Sequence, residues 1–210
     1  MASNVYTVVV VILLRPAAAV DAQRIKHLQR IRKTYDSAYE RWLPHITLIP
    51  PFRLGRATQE ESTDSMLPGW FVKKLDNLRR DLEYACGKHS KHHLSLTELG
   101  SFRLRAYENI HLRPNKETAS QLFDLQHDIR RASVPHVPKE FQENRAWKPH
   151  VSLGQAYTPQ DQTAIRTEAM RDCALGQGGI EIAVDQVEIM YKPTKYRGGY
   201  TVYQGVPIAT

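Results

Sequence analysis

The sequence predicts an α+β domain built from two related lobes, and three observations support this fold class. Apolar runs of strand length alternate with segments of helical periodicity. The chain of 210 residues is long enough for one domain, or for two small lobes that share an interface. A strand-helix-strand unit occurs twice, and such a duplication predicts two lobes related by a pseudo-twofold axis.

The first predicted strand, about residues 5–14, is a Val-rich run that ends at Arg15-Pro16. A short run of this kind indicates a buried strand. A signal peptide fits less well, because no Lys or Arg precedes the run and it is far shorter than the about 20 residues that cross a bilayer. A helix with Ile25, Leu28 and Ile31 or Arg32 on one face follows, and it leads to the first histidine strand.

The remaining elements follow the same alternation. A polar stretch at about 55–68 predicts an exposed insertion, and an amphipathic helix follows it. Two strands are expected at about 94–99 and 106–112, with Gly100 in the turn, and then a helix, a proline-containing loop and the second histidine strand. A helix at about 160–173, a Gly-rich turn, and strands at 180–191 and 200–206 complete the predicted order.

The duplicated unit carries a repeated Pro-His-x-(Ser/Thr)-Leu motif, Pro44 to Leu48 and Pro149 to Leu153. Upstream of each copy lies a helix and, before it, a strand ending in Leu-Arg-Pro. The units cover about residues 5–54 and 105–156, and the second is longer, most simply in the loop from Pro135 to Arg145. Both histidine strands are therefore expected to face one shared cleft.

Side chains two residues apart in a strand point to the same face, so each histidine should lie beside the hydroxyl of its own motif. Two imidazoles can serve as general acid and general base near neutral pH, and two hydroxyls can bind the oxygens of an anion. Phosphodiester chemistry requires this set of groups. The sequence thus predicts His45 and His150 as catalytic residues and Thr47 and Ser152 as phosphate-binding residues.

Other interpretations of these motifs are weaker. His93 begins a third His-x-Ser, but it lacks the proline and lies outside the duplicated unit, so we expect a structural or surface residue. His89, His92 and His93 lack further ligands at zinc-site spacing, and we expect neither a metal nor another cofactor. A role for Ser152 as a nucleophile is less favoured, because no Gly-x-Ser-x-Gly elbow surrounds it.

Further candidates for substrate contacts are aromatic and basic, because aromatic rings stack on bases and cations pair with phosphate. Phe52 and Arg53 could line the rim of the cleft, and His111 could point either way. A solvated hairpin loop with core-facing aromatic residues explains the C-terminal candidates equally well. These C-terminal candidates are Tyr191, Lys192, Lys195, Arg197 and Tyr200.

The composition favours an anionic partner and a reducing compartment. The net charge is +7 and the isoelectric point is near 9.4, which suits a nucleic-acid substrate. Cys86 and Cys173 lack metal-ligand or CxxC spacing, so a disulfide framework is not expected. We therefore expect a cytoplasmic or nuclear protein.

The chain resembles the 2H phosphoesterase superfamily, in particular the 2'-5' RNA ligase-like or cyclic phosphodiesterase branch. The resemblance rests on two His-x-(Ser/Thr) motifs 105 positions apart, on Leu99 to Phe102 between them, and on the element order; the gap between the motifs is longer than usual. It covers nearly the whole chain. It implies one bilobal domain, residues 1–210, in which two antiparallel sheets line a central cleft and the helices lie outside.

The resemblance also implies metal-independent hydrolysis of 2',3'-cyclic phosphates at RNA ends or in nucleotides, usually to 2'-phosphates. His150 is assigned as the base and His45 as the acid, although the two motifs are nearly symmetric. The expected partner is RNA with a cyclic-phosphate end or a cyclic nucleotide, with no membrane contact and a monomeric chain. RNA 2'-5' ligation, the reverse reaction, and RNA binding without turnover are the alternatives.

Overall fold

Two four-stranded antiparallel sheets form the framework of the computed structural model, which describes residues 5–55, 67–139 and 146–210. Most of the expected insertion at 55–68, and part of the loop expected between Pro135 and Arg145, lie outside the described residues. The strands are β1 (Val5–Leu13), β2 (His45–Gly55), β3 (His92–Arg103), β4 (Glu108–Pro114), β5 (Val151–Ala156), β6 (Ile180–Val184), β7 (Gln186–Pro193) and β8 (Thr201–Pro207). The predicted α+β class with antiparallel sheets is confirmed.

The order of strands is equivalent in the two sheets. The first sheet has the order β2-β1-β7-β8 and the second has the order β5-β4-β3-β6. Each histidine motif therefore lies at the start of an edge strand, and that strand pairs with the first strand of its own unit. The two strands of each predicted unit thus occupy equivalent positions in the two sheets.

Four helices cover the sheets, namely α1 (Ala19–Tyr35), α2 (Gly69–Cys86), α3 (Lys116–Ser133) and α4 (Pro159–Asp172). The helix of the first unit packs on the sheet of the second unit, and the helix of the second unit contacts both sheets. Helix α1, from the first unit, packs against β5 and β6 of the second sheet and against α4. Helix α3, from the second unit, packs against α2 and also contacts β2 and β3. None of the helices in the described ranges is long and apolar enough to span a membrane.

One continuous core joins both sheets and all four helices. It includes fully buried side chains from the first sheet, such as Val10 and Ile12, and from the second, such as Leu94 and Ile182. Backbone hydrogen bonds also link the sheets, because the carbonyl of Arg15, just after β1, accepts from the amide of Ala183 in β6. This shared core fixes the two histidine strands relative to each other.

Two expectations about strands were wrong. The single strand expected at 180–191 is two strands, β6 and β7, which separate at Asp185 and enter different sheets. Gly100 does not lie in a turn, because β3 continues to Arg103 and Gly100 pairs with His111 of β4. A Cβ atom at Gly100 would lie 2.5 Å from Nε2 of His111, so this glycine provides space for the imidazole.

Candidate active site

The two histidine motifs line a single cavity of about 190 Å³ between the sheets. His45 and Thr47 reach it from β2, whereas His150 and Ser152 reach it from the start of β5. The structure thus places together the four residues that the sequence predicts as the catalytic and phosphate-binding set. The remaining lining residues are Arg32, Asp36, Ala38, Trp42, Pro44, Val151 and Gln155.

Both imidazoles are held by the same local hydrogen bond. Nδ1 of His45 lies 2.7 Å from the carbonyl oxygen of Leu43, and Nδ1 of His150 lies 2.8 Å from the carbonyl oxygen of Lys148. A carbonyl can only accept, so Nδ1 carries the proton in both rings and Nε2 is left for acid-base chemistry. The intervening proline holds the residue before it extended, which presents that carbonyl to the ring.

The surroundings of both rings favour the neutral imidazole. Burial is the main cause that lowers the pKa of His45 to about 4; Arg32 and His150 act in the same direction, and the Leu43 carbonyl and Asp36 oppose them. Burial also lowers the pKa of His150, against the effect of the hydrogen bond to Lys148. Each ring can therefore accept a proton near neutral pH, and an anion bound between them would favour protonation of one ring.

The hydroxyls face the cavity because of the strand registers. Thr47 pairs with Val11 in β1, and Ser152 pairs with His111 in β4. The Oγ atom of Ser152 lies 3.5 Å from Nδ2 of Asn109, at the long limit of a hydrogen bond. Both hydroxyls can thus turn their protons toward an anion in the cavity.

Sequence reasoning missed two tryptophans that support the motifs. The Trp42 ring stacks on His45 at a centroid distance of 4.7 Å. The Nε1–H group of Trp147 donates to the carbonyl oxygen of Thr47 over 2.9 Å, and it joins the two motifs directly. A signal was present, because each motif is preceded by tryptophan in the pattern Trp-x-Pro-His.

A buried ion pair forms one wall of the cavity. Arg32 in α1 donates from Nη2 to Asp36 over 2.8 Å and to the Trp42 carbonyl over 2.9 Å. Asp36 also accepts from Nε2 of Gln155 in β5 over 3.1 Å, and Gln155 in turn accepts from the Ser37 amide. The network connects α1, the segment before His45 and β5. Sequence periodicity placed Arg32 only on the buried face of a helix.

A third histidine lies behind His150. His111 is only 1% exposed, its ring stacks on Phe102 at 4.2 Å, and its centroid is 5.0 Å from that of His150. Burial, followed by proximity to His150, lowers the pKa of His111 to about 4. A neutral ring at this position packs against His150 without adding charge. The repeat offered a signal, since His111 replaces the apolar Leu13 of the first unit.

Among the C-terminal candidates, Tyr200 and Lys192 lie on the His45 side of the site. Tyr200 stacks on Trp42 with the ring centroids 3.9 Å apart, and Nζ of Lys192 lies 5.1 Å from the centre of the Tyr200 ring. Lys195 and Arg197 are exposed in the loop between β7 and β8, and Arg53 is exposed on β2. The loop therefore supports His45 through Tyr200 and Trp42.

Two predicted substrate contacts are corrected by the structure. Phe52 is 1% exposed and lies in the core, on the same face of β2 as Ile46, so it cannot line the cleft. Tyr191 points into an aromatic cluster with Tyr6 and Phe71 beneath α2. The alternation of β7 turns Tyr191 away from the cavity, and the two register shifts in β2 leave Phe52 on the core face.

His93 and His89 have separate partners outside the cavity. His93 is exposed and contacts Glu181 at 3.0 Å, as expected for a surface residue, and His89 contacts Asp128 at 3.0 Å. No three potential ligands of the His, Cys, Asp or Glu type are grouped within the described ranges. A larger but open depression of about 540 Å³ runs along α4 and contains no histidine.

A family model named 2'-5' RNA ligase superfamily matches residues 16–194, most of the chain and both histidine motifs. The chain belongs to the 2'-5' RNA ligase superfamily. This is the 2H phosphoesterase group that the motifs indicated. No curated protein matches the sequence.

Solved structures show the fold of this superfamily over nearly the whole chain. Escherichia coli LigT in apo form aligns with a TM-score of 0.55 and 16% identity, covering 99% of this chain and 100% of LigT. TT0787 of Thermus thermophilus aligns with a TM-score of 0.57 and 15% identity, covering 96% of this chain and 97% of TT0787. Usb1 of Kluyveromyces marxianus aligns with a TM-score of 0.50 and 12% identity, covering 98% of this chain and 99% of Usb1.

Proposed function

We propose that this member of the 2'-5' RNA ligase superfamily hydrolyses 2',3'-cyclic phosphates of RNA ends or nucleotides to 2'-phosphates, without a metal. The observation that carries the proposal is the equivalent anchoring of two imidazoles around one cavity. Each ring is fixed through Nδ1, so that Nε2 remains for the reaction. Each ring also has a hydroxyl of its own motif beside the same cavity.

In the proposed reaction, Nε2 of His150 takes a proton from water as the water oxygen bonds to phosphorus. The bond from phosphorus to the 3'-oxygen breaks, and Nε2 of His45 gives its proton to that oxygen. His45 must be protonated when substrate is bound, and the phosphate anion beside it raises its pKa toward that state. Hydrogen bonds from Thr47 and Ser152 stabilise the charge that grows on the non-bridging oxygens.

A relative supports a nucleotide as the occupant of the cavity. LigT of E. coli, with a TM-score of 0.51 and 15% identity to this chain, has been solved in complex with 3'-AMP. The partner we propose is accordingly a cyclic nucleotide or an RNA with a cyclic-phosphate end. The buried free thiols of Cys86 and Cys173 are compatible with the proposed location in the cytoplasm or nucleus.

The direct test is incubation with 2',3'-cyclic AMP and with an oligonucleotide ending in a 2',3'-cyclic phosphate, both in EDTA. We expect 2'-phosphate products, and we expect His45→Ala and His150→Ala each to lower kcat by about 10²- to 10⁴-fold. His93→Ala is the matched control, because His93 is exposed in a similar sequence context. Full activity of either cavity mutant contradicts the proposal, and so does loss of wild-type activity in EDTA.

A substrate with a better leaving group distinguishes the two histidines. An aryl phosphodiester releases 4-nitrophenolate, which needs no proton, so a general acid contributes little to its hydrolysis. We expect His45→Ala to lose much less activity on this diester than on the cyclic nucleotide, and His150→Ala to lose activity on both. The opposite pattern would exchange the roles.

A parallel reaction with 5'-hydroxyl RNA detects ligation as a joined product.

A further inference from the structure

The face of the second sheet that carries the site continues beyond the cavity to the turn between β3 and β4. Along β4 and its extension, His111 and Tyr107 share this face, because they are four residues apart in extended chain. Along β5, Ser152 is followed on the same face by Gln155 after a register shift, and then by Tyr157. The strands thus connect the cavity with a surface at the turn.

Aromatic and apolar side chains are exposed on that surface. Tyr157 is 61% exposed, and its ring centroid lies 5.5 Å from that of Tyr107. Leu104, in the turn itself, is 48% exposed. Phe102 extends the aromatic series to the site, where its ring meets His150 edge-on at 4.9 Å. Large exposed rings in a row beside a catalytic cleft are a feature of surfaces that stack unpaired bases.

The charge around these rings is positive. Arg105 is exposed at the turn, and Nζ of Lys148 lies 6.0 Å from the centre of the Phe102 ring. Within the described ranges, neither of these two cations has an ion pair. They are therefore available to phosphates of a bound strand.

The acidic groups nearby already have partners. Glu108 accepts from Gln162 over 2.8 Å and from Arg166 over 3.4 Å. Asp161 accepts from the backbone amides of Tyr157 and Thr158 at the start of α4. These carboxylates consequently leave the positive charge of the turn largely uncompensated.

We propose that this surface, defined by Phe102, Leu104, Arg105, Tyr107, Lys148 and Tyr157, binds single-stranded RNA adjoining the reactive end. Five residues of extended chain separate Ser152 from Tyr157, which is roughly 16 Å. A mononucleotide in the cavity does not reach the tyrosine pair, whereas an oligonucleotide does. The inference rests on the proposed function and makes an RNA end, rather than a free cyclic nucleotide, the preferred substrate.

The experiment compares kcat/KM for 2',3'-cyclic AMP with kcat/KM for a short single-stranded RNA that ends in the same cyclic phosphate. We expect the wild type to prefer the RNA. The double variant Y107A/Y157A should lose about 5- to 100-fold of kcat/KM on the RNA, as expected for lost stacking, and keep its activity on 2',3'-cyclic AMP. Tyr84→Ala is the matched control, since Tyr84 is 73% exposed on α2.

Binding without turnover makes the test independent of the proposed function. Fluorescence anisotropy with the same RNA ending in a 3'-phosphate should show weaker binding by Y107A/Y157A, and a smaller salt dependence for R105A/K148A. Equal use of both substrates by the wild type, or unchanged RNA binding by both double variants, would overturn the inference. Normal RNA binding without hydrolysis of either substrate would overturn the proposed function alone.

Discussion

At the scale of single residues, the site is prepared by short local contacts that occur twice. Each Trp-x-Pro-His segment places a carbonyl oxygen next to the Nδ1 atom of its own histidine, at 2.7 Å for His45 and 2.8 Å for His150. The tautomer is therefore set by the backbone within two residues of each ring. Trp42 and Trp147 then differ, because Trp42 stacks on His45 while Trp147 donates to the carbonyl of Thr47.

The pH dependence of activity should reflect the buried rings. Burial lowers the pKa of His45 to about 4 and also lowers that of His150 from 6.5. One ring must be protonated and the other neutral, so kcat/KM should follow a bell-shaped curve with its maximum below pH 6.5. Above this pH the protonated acid of the free enzyme becomes scarce and the rate declines.

Initial rates with 2',3'-cyclic AMP from pH 4 to pH 9 measure this curve. The two apparent pKa values belong to the histidine pair, since the rings interact with each other. An alkaline limb with an apparent pKa of 7 or higher would show that the rings are not desolvated in the way the structure indicates.

At the scale of elements, the packing of α1 on the sheet of the other unit determines how the second histidine strand is supported. Helix α1 follows β1 of the first sheet but packs on β5 of the second, beside His150. The close approach of α1 to β5 requires glycine at position 154. A Cβ atom there would lie 2.5 Å from Cβ of Tyr35 and 2.9 Å from the Tyr35 carbonyl oxygen. This contact between α1 and β5 brings Arg32 and Asp36 to Gln155 in the cavity wall.

Gly154→Ala should therefore separate α1 from β5. The clash involves a backbone oxygen and a Cβ atom, neither of which can rotate away, and we expect a loss of about 1–3 kcal/mol in the free energy of unfolding. Thermal unfolding followed by circular dichroism would show a decrease in Tm of several degrees. Gly176→Ala is the control, because no atom lies within 4 Å of a Cβ there. Equal Tm values for the two variants would contradict the proposed contact.

At the scale of the whole molecule, the two units share one core and do not form separable lobes. The buried cluster extends from Val8 and Phe52 in the first sheet to Leu96 and Ile180 in the second. Helix α3 adds a further link, since Nε2 of Gln126 donates to the carbonyl of Leu48 in β2 over 3.3 Å. The relative position of the two histidines thus depends on the packing of the complete domain.

We accordingly expect a single cooperative unfolding transition. Urea titrations followed by circular dichroism and by tryptophan fluorescence should give coincident curves. The fragment 1–104, which contains the first unit without the strands β4 to β8, should lack a cooperative transition. Two separate transitions in the full chain, or a folded fragment, would show that the units are independent lobes.

The sequence by itself determined the pairing of the motifs, the α+β class and the family. These features depend on local patterns, because strand alternation, helical periodicity and a duplicated motif are visible in consecutive residues. Phe52 lies on the core face with Ile46, but the two register shifts between them place Ile49 on that face as well, which strict alternation does not predict.

Only the tertiary structure decided which distant segments meet. The run 180–191 is predicted from its sequence as one strand. It divides at Asp185, because its two halves belong to different sheets. The wall of Arg32, Asp36 and Gln155 joins residues more than 100 positions apart. Such contacts are set by the packing of α1 on the second sheet, and nothing in the neighbouring sequence specifies that partner.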